Sequence, residues 1–248
     1  MTFQGRVALV TGATSGIGRA TAMLLAARGA HVVASGRDRD RGRAVADAIH
    51  DAGGTADFVA ADLTDAAGCR ALAEQAIAAA GRVDILINNA AIGPLGPTTS
   101  ITEDVFDACF ATNVKAPFYL VGALAPAMAE RGDGVIVNVS TMVASFGTAG
   151  SAVYGSSKAA LNLLTKSWAA EFGPRGVRVN AVAPGPTLTE GTAEVWGEAG
   201  LEKLARSAPA RRVAGPDDIA ETICYLAGPS AAFIHGAVMP VDGGRTAV

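Results

Sequence analysis

The sequence predicts a single α/β domain over residues 1–248, with a doubly wound parallel sheet of seven strands and helices on both faces. Short apolar runs alternate with longer Ala- and Leu-rich runs along the whole chain, and such alternation is typical of parallel sheets with helical crossovers. The short runs lack strict polar alternation, as strands covered on both faces do. A length of 248 residues fits one domain of this class.

Each element follows from its local pattern. Seven strands are predicted at Val7–Val10, His31–Ser35, Ala56–Ala60, Asp84–Ile87, Gly134–Val139, Val177–Val182 and Ala237–Val241. Helices are predicted at Ile17–Arg28, Asp40–Ala52, Asp65–Ala80, Thr102–Ala129, Tyr154–Phe172 and Pro216–Ala227. Thr187–Pro209 breaks the alternation, with a helical piece around Ala193–Ala205. We expect this segment to be a substrate lid, because ligands bind at the carboxyl ends of strands in such sheets; the alternative is a surface excursion.

Composition excludes several classes of protein. Half of the residues are apolar and 17% are charged, which argues against disorder. The net charge of −3 gives no basic excess for nucleic acid or anionic lipid. No run approaches 18 uninterrupted apolar residues, so no membrane span is predicted. Three widely spaced cysteines and three separated histidines suggest no metal site and a reducing, cytoplasmic setting.

A glycine-rich loop, Thr11-Gly12-Ala13-Thr14-Ser15-Gly16-Ile17-Gly18, connects the first strand to the first helix. Glycines let backbone N–H groups approach a pyrophosphate, and the helix N-terminus adds partial positive charge. The spacing differs from the usual Gly-x-Gly-x-x-Gly and lacks the Gly-Lys-Ser/Thr ending of a P-loop, which disfavours an ATPase. We therefore predict a dinucleotide site; the alternative is a structural turn.

The end of the second strand bears on the choice of dinucleotide. An acidic residue there would bind the ribose 2′-hydroxyl of NAD, but the strand ends Ser35-Gly36-Arg37. The planar guanidinium of Arg37 suits a 2′-phosphate, so NADP(H) is favoured over NAD(H). The alternative is that Arg37 is a solvated charge and that Asp38 caps the next helix.

Tyr154 and Lys158 lie four residues apart on one helix face. Tyrosine is a weak base with an ordinary pKa of about 10, and a neighbouring ammonium is expected to lower that pKa. The pair then suits proton exchange with a ketone/alcohol couple. Polar residues elsewhere point to the same site: Ser140-Thr141 end a strand, Asn88-Asn89-Ala90-Ala91 follow another, and Asn113 lies within a helical pattern.

Together these motifs resemble the short-chain dehydrogenase/reductase family over essentially the whole chain. The matching pieces are the Thr11–Gly18 loop, Asp62-Leu63, Asn88–Ala91, Asn113, Tyr154/Lys158, Pro184-Gly185 with Thr189, and Val241-Asp242-Gly243-Gly244. The resemblance implies a Rossmann fold, an NAD(P)-dependent oxidoreductase acting on CH–OH groups, and a homotetramer. Such an enzyme needs no metal and takes a small carbonyl or alcohol as substrate.

The resemblance also implies residue roles. Tyr154 exchanges the proton with the substrate oxygen, Lys158 lowers its pKa and binds the nicotinamide ribose, and Asn113 holds a water that relays protons to Lys158. With Arg37 from the argument above, the predicted cofactor-binding residues beyond Tyr154 and Lys158 are Gly12, Thr14, Ser15, Gly16, Ile17, Gly18, Arg37, Asp62, Leu63, Asn89, Ala90, Ala91, Pro184, Gly185, Thr187 and Thr189. Of these, Asp62 and Leu63 border the adenine, and the last four clasp the nicotinamide.

Two positions depart from the family pattern. The catalytic serine, 13 residues before the tyrosine, is Thr141 here; threonine keeps the hydroxyl and adds a methyl group. We expect Thr141 to orient the substrate oxygen, with Ser140 as the fallback. The second departure is Ala91, where the family has glycine.

The favoured function is an NADPH-dependent carbonyl reductase, either 3-oxoacyl-reductase-like or acting on a small or hydrophobic ketone. The alternatives are an NAD-dependent sugar, polyol or hydroxysteroid dehydrogenase and, from another class, a non-catalytic dinucleotide sensor. Ile92, Leu95, Met142, Phe146 and Trp196 lie in the loops expected to contact substrate, and their apolar character favours a hydrophobic one.

Overall fold

The computed structural model of the chain describes residues 2–248. Its centre is one sheet of seven parallel strands in the order β3-β2-β1-β4-β5-β6-β7. The strands are β1 (Val7–Thr11), β2 (His31–Gly36), β3 (Thr55–Ala60), β4 (Ile85–Asn88), β5 (Gly134–Val139), β6 (Val177–Pro184) and β7 (Val238–Val241). All seven predicted strands are present, and the predicted fold class is confirmed.

Eight α-helices accompany the sheet in the described chain: α1 (Gly16–Ala27), α2 (Arg39–Asp51), α3 (Ala66–Ala80), α4 (Glu103–Phe110), α5 (Ala116–Glu130), α6 (Ala152–Phe172), α7 (Glu190–Ala205) and α8 (Pro216–Ala227). One core cluster joins α1, α2 and α8 to one face of the sheet. A second joins α3, α5 and α6 to the other face. Successive strand residues therefore serve opposite cores: Ala8 and Val10 pack in the first, and Leu9 packs in the second.

The order of the strands reverses between β1 and β4. From β1 the chain winds outward to β2 and β3, then returns to β4 and continues to β7. At such a reversal the connections after two neighbouring strands diverge to opposite faces, which leaves a crevice at the carboxyl edge. The segments that follow β1, β4, β5 and β6 all emerge at this edge, where the predicted site residues lie.

The predicted helix Thr102–Ala129 is not continuous α-helix. It divides into α4 and α5 around a π-helical turn at Ala111–Lys115, which contains Asn113. π-turns inside helices widen the backbone ladder by one residue and are frequent at functional sites. The sequence carries no pattern that marks this change of hydrogen bonding, although asparagine is a poor helix former.

The stretch Glu103–Glu130 is long and apolar enough, by length and composition alone, to cross a membrane. In the fold its second half packs against α3 and α6. Leu120, Leu124 and Met128 are buried there in the core beneath the sheet. We therefore interpret the stretch as a core helix.

The interruption at Thr187–Pro209 forms more helix than expected. α7 begins at Glu190, three residues before the predicted helical piece, and kinks at Gly197, whose φ is +61°. Thr189 caps its first turn: its Oγ1 accepts from the Thr192 N–H, and the Thr192 hydroxyl receives the Thr189 N–H.

Candidate active site

The glycine positions of the loop are packed so tightly that a side chain would not fit at them. A Cβ on Gly18 would lie 2.2 Å from the Gly12 carbonyl oxygen, and one on Gly12 would lie 2.9 Å from Ala90 Cα. Gly12 and Gly16 have φ values of +64° and +51°, in the region that favours glycine. The backbone at the start of α1 therefore carries no Cβ at Gly12, Gly16 or Gly18, a cradle that fits a pyrophosphate.

Thr11 and Asn89 join the ends of β1 and β4. The Thr11 hydroxyl donates to the Ile87 carbonyl and accepts from the N–H groups of Asn89 and Ala90, at 3.0 and 3.1 Å. The Asn89 side-chain amide donates to the carbonyl oxygens of Thr11 and Gly12, at 2.9 and 3.1 Å. Asn89 thus fixes the glycine loop from behind.

A cavity of about 950 Å³ runs along this edge of the sheet, at the upper end of the volumes of ligand sites. It is lined by the glycine-loop residues and by Arg37 at one end, and by Thr141, Tyr154 and Lys158 at the other. Every residue predicted to bind cofactor lines it: Gly12, Thr14, Ser15, Gly16, Ile17, Gly18, Arg37, Asp62, Leu63, Asn89, Ala90, Ala91, Tyr154, Lys158, Pro184, Gly185, Thr187 and Thr189. Asn113 does not line the cavity.

At the end of β2, Asp38 caps α2 as one interpretation of the sequence held. Its Oδ1 accepts from the N–H groups of Asp40 and Arg41, and its Oδ2 accepts from Arg41 Nε at 2.8 Å. These bonds hold the pKa of the Asp38 carboxyl below its usual value. Arg37 is exposed, lines the cavity and makes no ion pair with any residue of the described chain. The cap uses the Asp38 carboxylate, so the Arg37 guanidinium remains available to a ligand in the cavity.

Tyr154 lies in the first turn of α6, next to the end of β5. Burial raises the pKa of its phenol, and a hydrogen bond with the Thr141 hydroxyl partly opposes that shift. Burial therefore outweighs the lowering of the phenol pKa that was expected from the Lys158 ammonium. Ser140, the fallback hydroxyl, is buried, and its Oγ has no hydrogen-bond partner among the described residues.

Lys158 is a buried cation beneath the cavity. Its Nζ donates to the Val139 carbonyl oxygen at 2.7 Å, and only 2% of the residue is exposed. Burial lowers the pKa of its ammonium to about 8, because desolvation disfavours the charged form. At neutral pH the lysine is thus still mostly charged, but close to its titration.

The side-chain amide of Asn113 joins two segments of the site. Its Oδ1 accepts from the Ile92 N–H at 3.0 Å, and its Nδ2 donates to the Ile92 carbonyl and to Ser157 Oγ, at 2.8 and 3.0 Å. Both ends of the amide are therefore engaged in contacts within the protein, and the relay water stays a prediction. Ser157 in turn donates to the Tyr154 carbonyl. Asn113 ties the loop after β4 to the helix that carries Tyr154 and Lys158.

Sequence reasoning missed two contributors. Ser157 had no signal, because one serine among several on a helix is unremarkable. Glu190 is the other: its Oε2 accepts from the Gly16 N–H at 3.1 Å, across 174 residues. Acidic residues are ordinary in the first turn of a helix, so its position after Thr189 gave no sign that it reaches the glycine loop.

Comparisons with known proteins agree with this geometry. A family model described as enoyl-(acyl carrier protein) reductase matches residues 12–246. A solved "short chain dehydrogenase/reductase family protein" is 48% identical, covers all of both chains and superposes with a TM-score of 0.93. The chain belongs to the short-chain dehydrogenase/reductase family. It is an oxidoreductase of the NAD(P)-dependent kind that acts on CH–OH groups.

Two further relatives of this dehydrogenase bear on chemistry. The cis-4-hydroxycyclohexanecarboxylate dehydrogenase of Sinomonas cyclohexanicum is 40% identical over 251 residues, which are 99% of this chain and 98% of that one. A blue fluorescent protein from a metagenomic library, solved in complex with NADPH, is 35% identical, covers 99% of both chains and has a TM-score of 0.92. Residues 2–248 contain no group of three or more His, Cys, Asp or Glu side chains arranged to hold a metal ion.

The buried charge of Lys158 predicts a pH-dependent stability. The folded pKa of about 8 lies below the unfolded value of about 10.4, so between these values the unfolded chain binds more protons. The free energy of unfolding contributed by Lys158 therefore rises as pH increases from 8 to about 10. In Lys158→Met this rise is absent. Urea denaturation at pH 7 and pH 10 measures it, and we expect the wild-type-minus-variant difference to change by about 3 kcal/mol at most.

Lys166→Met, on the same helix, is the control. If Lys158→Met and Lys166→Met both keep the wild-type pH dependence of the free energy of unfolding, Lys158 titrates normally in the folded protein.

Proposed function

We propose that this dehydrogenase is an NADPH-dependent carbonyl reductase that reduces a small or hydrophobic ketone, with Tyr154 as proton donor. The observation that carries the proposal is that the hydroxyl-bearing residues Tyr154 and Thr141 line the same cavity as the glycine cradle. A carbonyl oxygen placed between these two hydroxyls would accept a hydrogen bond from each. When bound, the reduced nicotinamide supplies the hydride for the carbonyl carbon.

The electrostatics of the two ionisable groups suit reduction. The raised pKa keeps the Tyr154 phenol protonated at neutral pH, the form able to donate to a developing alkoxide. As the proton leaves, a phenolate forms near the buried Lys158 ammonium, which stabilises it. Lys158 is held by the Val139 carbonyl, so this charge is in place before the reaction and need not reorganise.

Asn113 is proposed as a positioning residue rather than a relay. Its bonds to Ile92 and Ser157 set the distance between the loop after β4 and the helix of Tyr154 and Lys158. Fixed geometry of this kind can account for several kcal/mol of barrier lowering.

NADP(H) is the proposed cofactor because Arg37 is unpaired and Asp38 is occupied by its cap. The Thr187–Pro209 segment is the proposed lid: Thr187, Thr189 and Trp196 line the cavity.

We further propose a cytoplasmic location, since the described cysteines are free thiols. We also propose that the protein is a homotetramer. Phe118 and Leu163, on α5 and α6, present large exposed apolar surface that a neighbouring subunit would cover.

The deciding experiment is a fluorescence titration of the purified protein with NADPH and NADH, followed by a panel of ketones read by NADPH consumption. We expect NADPH to bind at least tenfold more tightly. Tighter NADH binding would favour an alcohol dehydrogenase that works in the oxidising direction. Cofactor binding without turnover of any ketone or alcohol would favour a dinucleotide sensor instead.

Removing the two hydroxyls tests the catalytic pair. Tyr154→Phe is expected to lower kcat for ketone reduction by about 10²–10⁴-fold, the usual contribution of a general acid. Thr141→Val should lower it by about tenfold, the equivalent of one neutral hydrogen bond, and Thr141→Ser should restore it. Ser156→Ala, which removes an exposed hydroxyl from the same helix, is the control. Full turnover by Thr141→Val would remove threonine from the mechanism.

The cofactor preference is tested at Arg37. Replacing it by aspartate removes a charge-assisted contact of about 1.5–3 kcal/mol and adds repulsion of a 2′-phosphate. Arg37→Asp should therefore weaken NADPH binding by at least about tenfold, with little effect on NADH. Arg43→Asp makes the same charge change on the exposed side of α2. Equal losses of NADPH affinity in Arg37→Asp and Arg43→Asp would mean that Arg37 contributes only long-range attraction and no direct contact.

Glu190 should compete with the cofactor. Its carboxylate accepts from the Gly16 N–H, one of the donors that a pyrophosphate would use, and a second anion there would be repelled. Glu190→Gln is expected to strengthen NADPH binding by about twofold to tenfold, in line with one charged hydrogen bond. Glu194→Gln, one turn further along α7, is the matched control. Weaker binding by Glu190→Gln would instead make the carboxylate part of the cofactor site.

A further inference from the structure

We infer that the substrate of this site is an uncharged, predominantly apolar ketone, and that the cavity discriminates against ketones bearing a carboxylate. The inference rests on the proposed function and assigns its substrate class. It is carried by where the charged side chains lie relative to Tyr154.

The cavity wall around the Tyr154 phenol is apolar. Its large side chains are Ile92, Leu95, Met142, Val143, Val195 and Trp196. Polar atoms in this part come from neutral hydroxyls such as those of Ser151 and Thr192. Val195 and Trp196 are 59% and 45% exposed, and an apolar ligand between them and Met142 would remove that surface from water.

Apart from Lys158, the charged side chains that line the cavity lie far from Tyr154. Among the described residues, these are Arg37, Asp38, Arg41 and Asp62, at the ends of β2 and β3. Strands β2 and β5 are separated by β1 and β4, so three strand spacings, about 14 Å, separate these groups from Thr141. Lys158 uses one of its three N–H donors on the Val139 carbonyl and is 2% exposed; in the proposed function its charge stabilises the Tyr154 phenolate. Among the described residues, no other guanidinium or ammonium lines the cavity near Thr141.

Helix α7, which contributes Val195 and Trp196 to the cavity wall, carries an excess of negative charge. Glu190, Glu194, Glu198 and Glu202 are all exposed along α7, against Lys203 and Arg206 near its end. Arg245 lies over the Phe146 ring, donates to the carbonyl of Val248 and does not line the cavity. An anion would therefore meet repulsion from α7 and find no cation other than Lys158 near Thr141 in the described chain.

The test compares two ketones that differ only in charge: 4-oxocyclohexanecarboxylate and its methyl ester. With NADPH and the wild-type protein, we expect kcat/KM for the ester to exceed that for the acid by at least about 100-fold, because a buried carboxylate without a partner is strongly disfavoured. If the ketone panel identifies another skeleton, the acid and ester on that skeleton take their place.

A variant with an introduced cation sharpens the test. Leu95→Lys adds an ammonium at the cavity wall and should narrow the ester-to-acid ratio by at least tenfold. Ile77→Lys makes the same change on the exposed side of α3, away from the cavity, and should leave the ratio unchanged.

The outcomes separate this inference from the proposed function. Equal kcat/KM for acid and ester, or a preference for the acid, overturns the inference and leaves the reductase activity standing. Absence of NADPH binding and of turnover with every ketone overturns the proposed function, and the inference with it.

Discussion

The structure depends on the joint between β1 and β4, where the winding of the sheet reverses. Thr11 and Asn89 exchange five hydrogen-bond contacts with the backbone of the opposite segment, and these satisfy polar groups that diverging helices leave uncovered. Because Asn89 is bound behind the loop, Gly12 and Gly18 must lie close to backbone atoms, which no larger residue allows. The cradle in front of the loop is a consequence of the packing behind it.

The sequence predicted the sheet well because strands buried on both faces leave a strong signal: short, apolar, β-branched runs between helical patterns. It predicted the cavity for the same reason, since residues that follow neighbouring strands must share an edge. It did not predict the π-turn at Asn113, because a shift in backbone hydrogen bonding changes no composition. Nor did it predict the contact of Glu190 with Gly16, which joins residues 174 positions apart and depends on how α7 folds back.

The direction of the Tyr154 pKa was a similar case. Spacing along a helix brings Lys158 near the tyrosine, and from spacing alone an ammonium should favour the phenolate. Burial acts on both groups, however, and it comes from segments far along the chain. It raises the pKa of the phenol and lowers that of the lysine. Both shifts favour the neutral forms: the phenol stays protonated at neutral pH, and the lysine, with a pKa of about 8, stays mostly charged there.

The strand order also divides the cavity electrostatically. Apart from Lys158, the charged side chains lie at the β2–β3 end, where a phosphate-bearing ligand needs them, and apolar side chains lie after β4, β5 and β6, where the substrate carbon must be held. This separation follows from the topology, because residues at the ends of strands three positions apart are too far from each other to bind the same ligand group. A cation that serves the cofactor therefore cannot also serve the substrate. A change in substrate charge would require a new basic residue in the loops after β4, β5 or β6, while the dinucleotide end stays unchanged.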